Sequence, residues 1–304
     1  QSKEQKAIAK KRVKHHRNKL DHKLVSGVFL APSVLGVLIF FVLPFLVVIY
    51  FSFVDNPVAK QFVGFQNFIS VIGNQAFRTA VGNTLFFSIV AVPLAVVLGM
   101  ALAFLLDAGI PLRSELRSCF LTPLMVPTAS VVLIWQVLFD YNGVVNLAVQ
   151  KFGGGRVDWL KSSAGLFVVI LLFLWKNLGY NMILFLSAMG NIPKDMIEAA
   201  ELDGANRRQI FFHVKLRYLS PTILFVAILS MINSFKVFRE VYLLTGEYPY
   251  GALYMLQHYM NNTFASGDYQ KLSTAAIYMS LVMIVIMGIL FLVEHHFGKD
   301  LEEE

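Results

Sequence analysis

The sequence predicts an all-α integral membrane protein with six transmembrane helices, and three observations carry that expectation. Hydrophobic residues make up 57% of the chain and charged ones 15%, against about 45–50% and about 25% in soluble globular domains. Mean hydropathy is positive. Charge also falls in blocks: between Lys23 and Asp55, Arg78 and Asp107, Arg117 and Asp140, and Lys271 and Glu294 there is no Asp, Glu, Lys or Arg. A helix needs about 20 apolar residues to cross roughly 30 Å of hydrocarbon while satisfying its own backbone, so each gap is long enough for one crossing.

Taken in order, the first 23 residues carry nine Lys or Arg against Glu4 and Asp21. This block, residues 1–24, runs into an apolar segment too long for the core of a signal peptide. It reads as a cytoplasmic tail beside the membrane rather than a nucleic-acid arm. Spans follow at 28–53, 83–106 and 118–139. A fourth, 165–189, is interrupted only by Lys176, and a fifth, 218–243, continues past Lys236, Arg239 and Glu240. The sixth is 273–294, so the membrane domain covers 25–298 and leaves a tail at 299–304. Pro32, Pro44, Pro93, Pro123 and Pro127 fall within or beside these helices, where proline bends a span and frees a carbonyl. Cys119 is the single cysteine and excludes an intrachain disulfide.

Orientation follows from the basic residues of the loops, since Lys and Arg are retained on the cytoplasmic side. With the N-terminus inside, the inner segments hold 17 basic residues and the outer ones 6, namely Lys60, Arg78, Lys151, Arg156, Lys161 and Lys271. Both termini are therefore expected in the cytoplasm.

The loop between the fourth and fifth spans, 190–217, departs most from a plain connection. Pro193 suits a first helical turn, Asp195 and Glu198 sit near its positive end, and Gly204 suits a left-handed stop. Asn206 is placed to cap a second short helix through Val214. Met196, Ile197, Ala200 and Leu202 make one side of the first helix apolar, while Glu198, Glu201 and Asp203 stay wet. An acidic helix is poorly suited to an anionic lipid surface. It suits a groove on a soluble partner.

Glu198-Ala199-Ala200, three residues, Gly204, nine residues, then Val214-Lys215-Leu216 resembles the EAA loop of binding-protein-dependent ABC importer permeases. Leu30-Ala31-Pro32-Ser33, Phe62-Val63-Gly64-Phe65-Gln66-Asn67-Phe68, Leu121-Thr122-Pro123 and Leu243-Leu244-Thr245-Gly246 extend the resemblance to sugar permeases of the maltose and glycerol-phosphate type. The order of these features is similar to that of the first of two unlike permease subunits. The resemblance implies a type I ABC importer permease fold in the cell membrane of a bacterium. It implies a second similar permease, two ATPase subunits and an extracytoplasmic binding protein as partners, with a carbohydrate substrate. Glu198, Ala199, Ala200, Asp203 and Gly204 would then couple to the ATPase. Arg217 stands where the family carries proline, with Pro221 four residues later to supply the bend.

On the fourth span Lys176, Asn177, Tyr180 and Asn181 form a polar sector. On the fifth, Ser230, Asn233, Ser234 and Val237 follow the i, i+3, i+4, i+7 pattern. Sugars are bound by amides, hydroxyls and aromatic faces. The resemblance implies sugar contact for Lys176, Asn177 and Tyr180, and extends to Ser230, Asn233 and Ser234. The bland alternative is that these groups hydrogen-bond one helix to another. In one case Lys236, Arg239 and Glu240 sit near the outer interface or pair with one another; in the second, Lys176, Lys236 and Arg239 face the cavity. The second case points to an acidic saccharide.

No phosphate loop with Gly-Lys-[Ser/Thr] occurs. No ATP or other cofactor is therefore expected in this chain, ATP and Mg belonging to the partner ATPases. No His, Cys and carboxylate cluster has metal-ligand spacing, and enzyme activity is not expected. A secondary transporter would carry ion-binding carboxylates within its spans, for which only Glu240 is a candidate. A permease for amino acids, peptides or an anion is the nearer alternative.

Overall fold

A computed structural model of the chain describes residues 27–298 except Pro57 and Gly109. The basic tail at 1–24 and the tail at 299–304 lie outside the described residues. Among the described residues, five helices are long and apolar enough to cross a membrane: Gly27–Ser52, Gln75–Asp107, Gly165–Met189, Ser220–Thr245 and Tyr269–His295. A sixth crossing exists only as a bent pair, Arg113–Met125 with Thr128–Leu138. They are called spans one to six in chain order, the bent pair being span three.

Three expectations need correction. Span two begins at Gln75 rather than 83, because the Asn74 side chain caps it by accepting from the Phe77 amide at 3.2 Å. Arg78, taken as a boundary, folds back to donate to the carbonyls of Ile72 and Gly73. The continuous helix expected over 118–139 is instead broken by 101°. Val126 is extended, as a residue before proline must be to avoid the ring, and Pro127 opens the next helix. Span five is interrupted too, its helices running Ser220–Phe235 and Phe238–Thr245.

The chain forms two compact units. The first takes the described residues through Asn67 together with Tyr269–Ile277. Within it, span one carries a wide π-turn at Leu38–Val42 just before Pro44, whose missing N–H breaks the regular ladder. Past the span, Val54 pairs with Phe62, and the Asn67 amide donates to the carbonyls of Ser52 and Val54.

The second unit, Phe68–Asp268 with Tyr278 onward, is organised around spans two and four. Their contact is close: a Cβ added at Gly99 would stand 2.8 Å from the Asn181 Cβ. Two apolar clusters fill it. Phe87, Ala91 and Ala95 meet Val168, Leu172 and Phe173 together with Trp135 and Val241. Val96, Ala103 and Leu106 meet Met182, Phe185 and Leu219. Lipid offers apolar side chains as good a medium as a neighbouring helix does, so packing and interhelical hydrogen bonds must hold such spans together. Outside the spans, Asn146 secures the loop after span three. Its amide donates to Tyr141 O and Val157 O, while its oxygen accepts from the Val157 amide and the Trp159 indole.

Candidate functional site

The bend in span three and the break in span five face a cavity of about 390 Å³, walled by residues of spans three, four and five. Span three contributes Pro123, Val126 and Thr128; span four contributes Lys176, Asn177 and Tyr180; span five contributes Asn233, Lys236, Arg239 and Glu240. Lys176 is ion-paired with Glu240 and also donates to the Thr128 hydroxyl at 3.3 Å. An ionisable group inside a membrane helix is costly unless it meets a partner or water, and here two such groups satisfy each other at the cavity wall. Asn233 donates its amide to the Asn177 oxygen at 2.9 Å, and Asn177 in turn donates to the Phe173 carbonyl. The two asparagines thus present an ordered patch of mixed donors and acceptors. Tyr180 is 39% exposed and completes a lining with an aromatic face beside amides.

Of the residues expected to contact substrate, the structure brings Lys176, Asn177, Tyr180 and Asn233 together on this wall. It does not bring Ser230 or Ser234, which are buried between helices. Ser230 accepts from the Asn181 amide at 3.0 Å, and the same amide reaches the Ala95 carbonyl. The Ser234 hydroxyl donates to the Met231 carbonyl and lies 2.8 Å from that of Ser88. One helical turn separates these two serines, so they share a face that packs on spans two and four, while Asn233 is rotated toward the cavity. Asn181 belongs with them rather than with the polar wall. Of the alternatives for Lys236, Arg239 and Glu240, the structure turns all three to the cavity, with Glu240 reaching across to Lys176 rather than pairing with Lys236 or Arg239. Thr128 was not foreseen as part of the site; Pro127 beside it was the only local signal.

The loop 190–217 folds as its turn residues suggested. Pro193 stands immediately before a helix Lys194–Leu202, which has Asp195 in its first turn. Gly204, at φ +82°, closes it: its amide donates to Glu201 O and that of Ala205 to Ala200 O. This is a Schellman stop, which needs a left-handed residue that glycine adopts without strain. Asn206 and Gln209 form a capping box at the start of the next helix, which continues to Tyr218 through a π-turn at Ile210–Lys215 rather than ending at Val214. Glu198, Ala199, Asp203 and Gly204 are exposed and Ala200 is half-buried. Leu202 is 89% exposed. The loop is fastened behind this helix: Tyr218 donates to the Asn191 carbonyl, and Phe211 packs on Phe104 of span two.

Residues 95–302 match the family model for binding-protein-dependent transport system inner membrane components. The chain belongs to this family. It is a multi-pass inner-membrane permease of the ABC importer class. Among its relatives, the trehalose/maltose transport system permease protein MalF of Thermococcus litoralis is 29% identical over 294 residues, covering 95% of this chain and 98% of that protein. The arabinooligosaccharides transport system permease protein AraP of Bacillus subtilis is 32% identical over 230 residues, covering 73% of this chain and 72% of that one. A chain of the crystal structure of a bacterial ABC transporter involved in the import of the acidic polysaccharide alginate superposes with a TM-score of 0.77 at 21% identity, over 92% of this chain and 98% of its own length. That likeness shows the shared permease fold.

Proposed function

We propose that this permease is one half of the translocation pathway of an ATP-driven carbohydrate importer and couples to its ATPase through the helix Lys194–Leu202. The observation that carries the reading is that this helix buries none of its residues and is held out by a loop anchored at both ends. A knob with Leu202 and Ala199 exposed beside Glu198 and Asp203 suits a cleft on a soluble subunit. The names of the relatives MalF and AraP support a carbohydrate as cargo. Lys176, Asn177, Tyr180 and Asn233 meet its hydroxyls and C–H faces, while Ser230 and Ser234 support the wall from behind.

Completing the importer takes a second similar permease, two ATPase subunits that bind ATP and Mg, and an extracytoplasmic binding protein. The count of basic residues supports cytoplasmic N- and C-termini, with the coupling loop on the same side. ATP drives transport only by favouring one access state over another, so the loop must stay engaged in both. An ion-coupled carrier would need a free carboxylate, and Glu240 is held by Lys176.

The test is co-purification of the detergent-solubilised chain with its encoded neighbours, followed by ATPase assay with sugar-loaded binding protein. Gly204→Pro removes both the positive φ and the N–H of the Schellman stop. We expect it to abolish sugar-stimulated ATPase activity while the chain still reaches the membrane. Unchanged stimulation in that variant, or a chain that purifies alone and moves solute down an ion gradient, would overturn the reading.

A further inference from the structure

Lys176 and Glu240 neutralise one another, but the cavity wall holds two more cations, Lys236 and Arg239. Both are exposed, and among the described residues neither forms an ion pair. They lie in a span, where an unpaired cation is tolerated only against water or an opposite charge. Their position is a product of the local break. Span five stops being a regular helix at Lys236 and resumes at Phe238, which turns Lys236, Arg239 and Glu240 toward the same space as the asparagine pair.

A neutral saccharide leaves this arrangement unexplained. Its hydroxyls are met by Asn177, Asn233 and Tyr180, and displacing water from two unpaired cations without returning a negative charge is unfavourable. A carboxylate answers both cations. The guanidinium of Arg239 offers parallel N–H donors that match two carboxylate oxygens, and Lys236 adds a point charge one turn away.

We infer that the cargo is a carboxylated saccharide, an oligosaccharide containing uronic acid, with Arg239 and Lys236 as the counterions of its carboxylate. The inference rests on the reading of the chain as a carbohydrate permease and narrows it. The Lys176–Glu240 pair takes no part in charge selection, because its own charges cancel.

The experiment uses the complete importer, reconstituted in proteoliposomes with its binding protein, and compares uptake of a galacturonic acid trisaccharide with that of its carboxyl-reduced neutral counterpart. The intact importer is expected to favour the acidic trisaccharide. Lys236→Gln and Arg239→Gln are each expected to lower its uptake about tenfold, the scale of one lost charge-assisted hydrogen bond. Lys236→Arg and Arg239→Lys, which keep the charge, separate lost charge from lost assembly and are expected to retain more uptake than the glutamine variants. The proposal is overturned if the neutral trisaccharide is carried as well as the acidic one, or if the Lys236→Gln/Arg239→Gln double variant carries the acidic one like the parent. In those outcomes sugar-stimulated ATPase activity survives and the importer reading stands. Loss of stimulation by every saccharide, acidic or neutral, would sink both.

Discussion

A Cβ added at Gly179 would stand 1.9 Å from the backbone oxygen of Phe120, so spans three and four touch backbone to backbone where the cavity wall begins. A carbonyl cannot yield as a side-chain tip can. Gly179→Ala is therefore expected to push the helix Arg113–Met125 away from span four and to cost about 1–3 kcal/mol, as overpacking does. Thermal stability of the purified chain checks this, with Gly288→Ala as the control, since a Cβ there meets nothing within 4 Å. Equal melting temperatures for the two variants would show that span three is not held in this register.

The ion pair of Lys176 and Glu240 joins spans four and five with side chains 23% and 12% exposed. Removing one partner strands the other's charge beside the cavity, whereas removing both strands none. Lys176→Met and Glu240→Gln should each destabilise the chain, and the double variant should recover part of the loss. The expected coupling is about 0.5–3 kcal/mol, measured as a double-mutant cycle on thermal unfolding in detergent. Strict additivity of the two single variants would mean that the pair contributes nothing.

Such pairings explain how far the sequence could be read. Local chemistry was legible: Pro193 and Gly204 mark the two ends of the first short helix of the 190–217 loop and Asn206 the start of the second, whose far end at Tyr218 no residue announced. Charge gaps located the spans within a few residues, except where Arg78 folded back on its own helix terminus. Pro127 announced a bend, but its size depends on what Val126 and Thr128 pack against. The break at Lys236 has neither glycine nor proline to announce it. The face of a helix could be assigned by periodicity, but not the neighbour that face would meet. Ser230 and Ser234 therefore turned out to bond to span four and span two, and Glu240 reached a lysine 64 positions away.

The exposed end of the helix Lys194–Leu202 offers a test separate from its glycine stop. Leu202 is 89% exposed, so Leu202→Asp removes no internal packing and should change stability by less than about 0.5 kcal/mol. If the helix docks in a cleft of the ATPase, the added charge should lower the amount of ATPase recovered with the chain. Full recovery with Leu202→Asp would place the docking surface elsewhere on the loop.

His258, in the helix Leu256–Ala265 outside the spans, is fully buried. Its Nδ1 accepts from the Met255 amide at 3.2 Å, which leaves the proton on Nε2, for which the described residues offer no hydrogen-bond acceptor. The rings of Phe238, Tyr242 and Tyr254 surround it. Burial disfavours the imidazolium and pushes the pKa down to about 4. The sign follows from proton counting: between pH 6.5 and 4 the unfolded chain binds a proton that the folded one refuses. Stability from this residue is therefore complete above the unfolded pKa and is lost as pH falls toward the folded one. The loss approaches about 3 kcal/mol at the acid end. His258→Asn keeps an acceptor for the Met255 amide and removes the titration. The melting-temperature advantage of the parent over that variant should shrink as pH is lowered from 7 to about 4.5, and an advantage that stays constant over that window would show that His258 takes up its proton in the folded chain as readily as in the unfolded one.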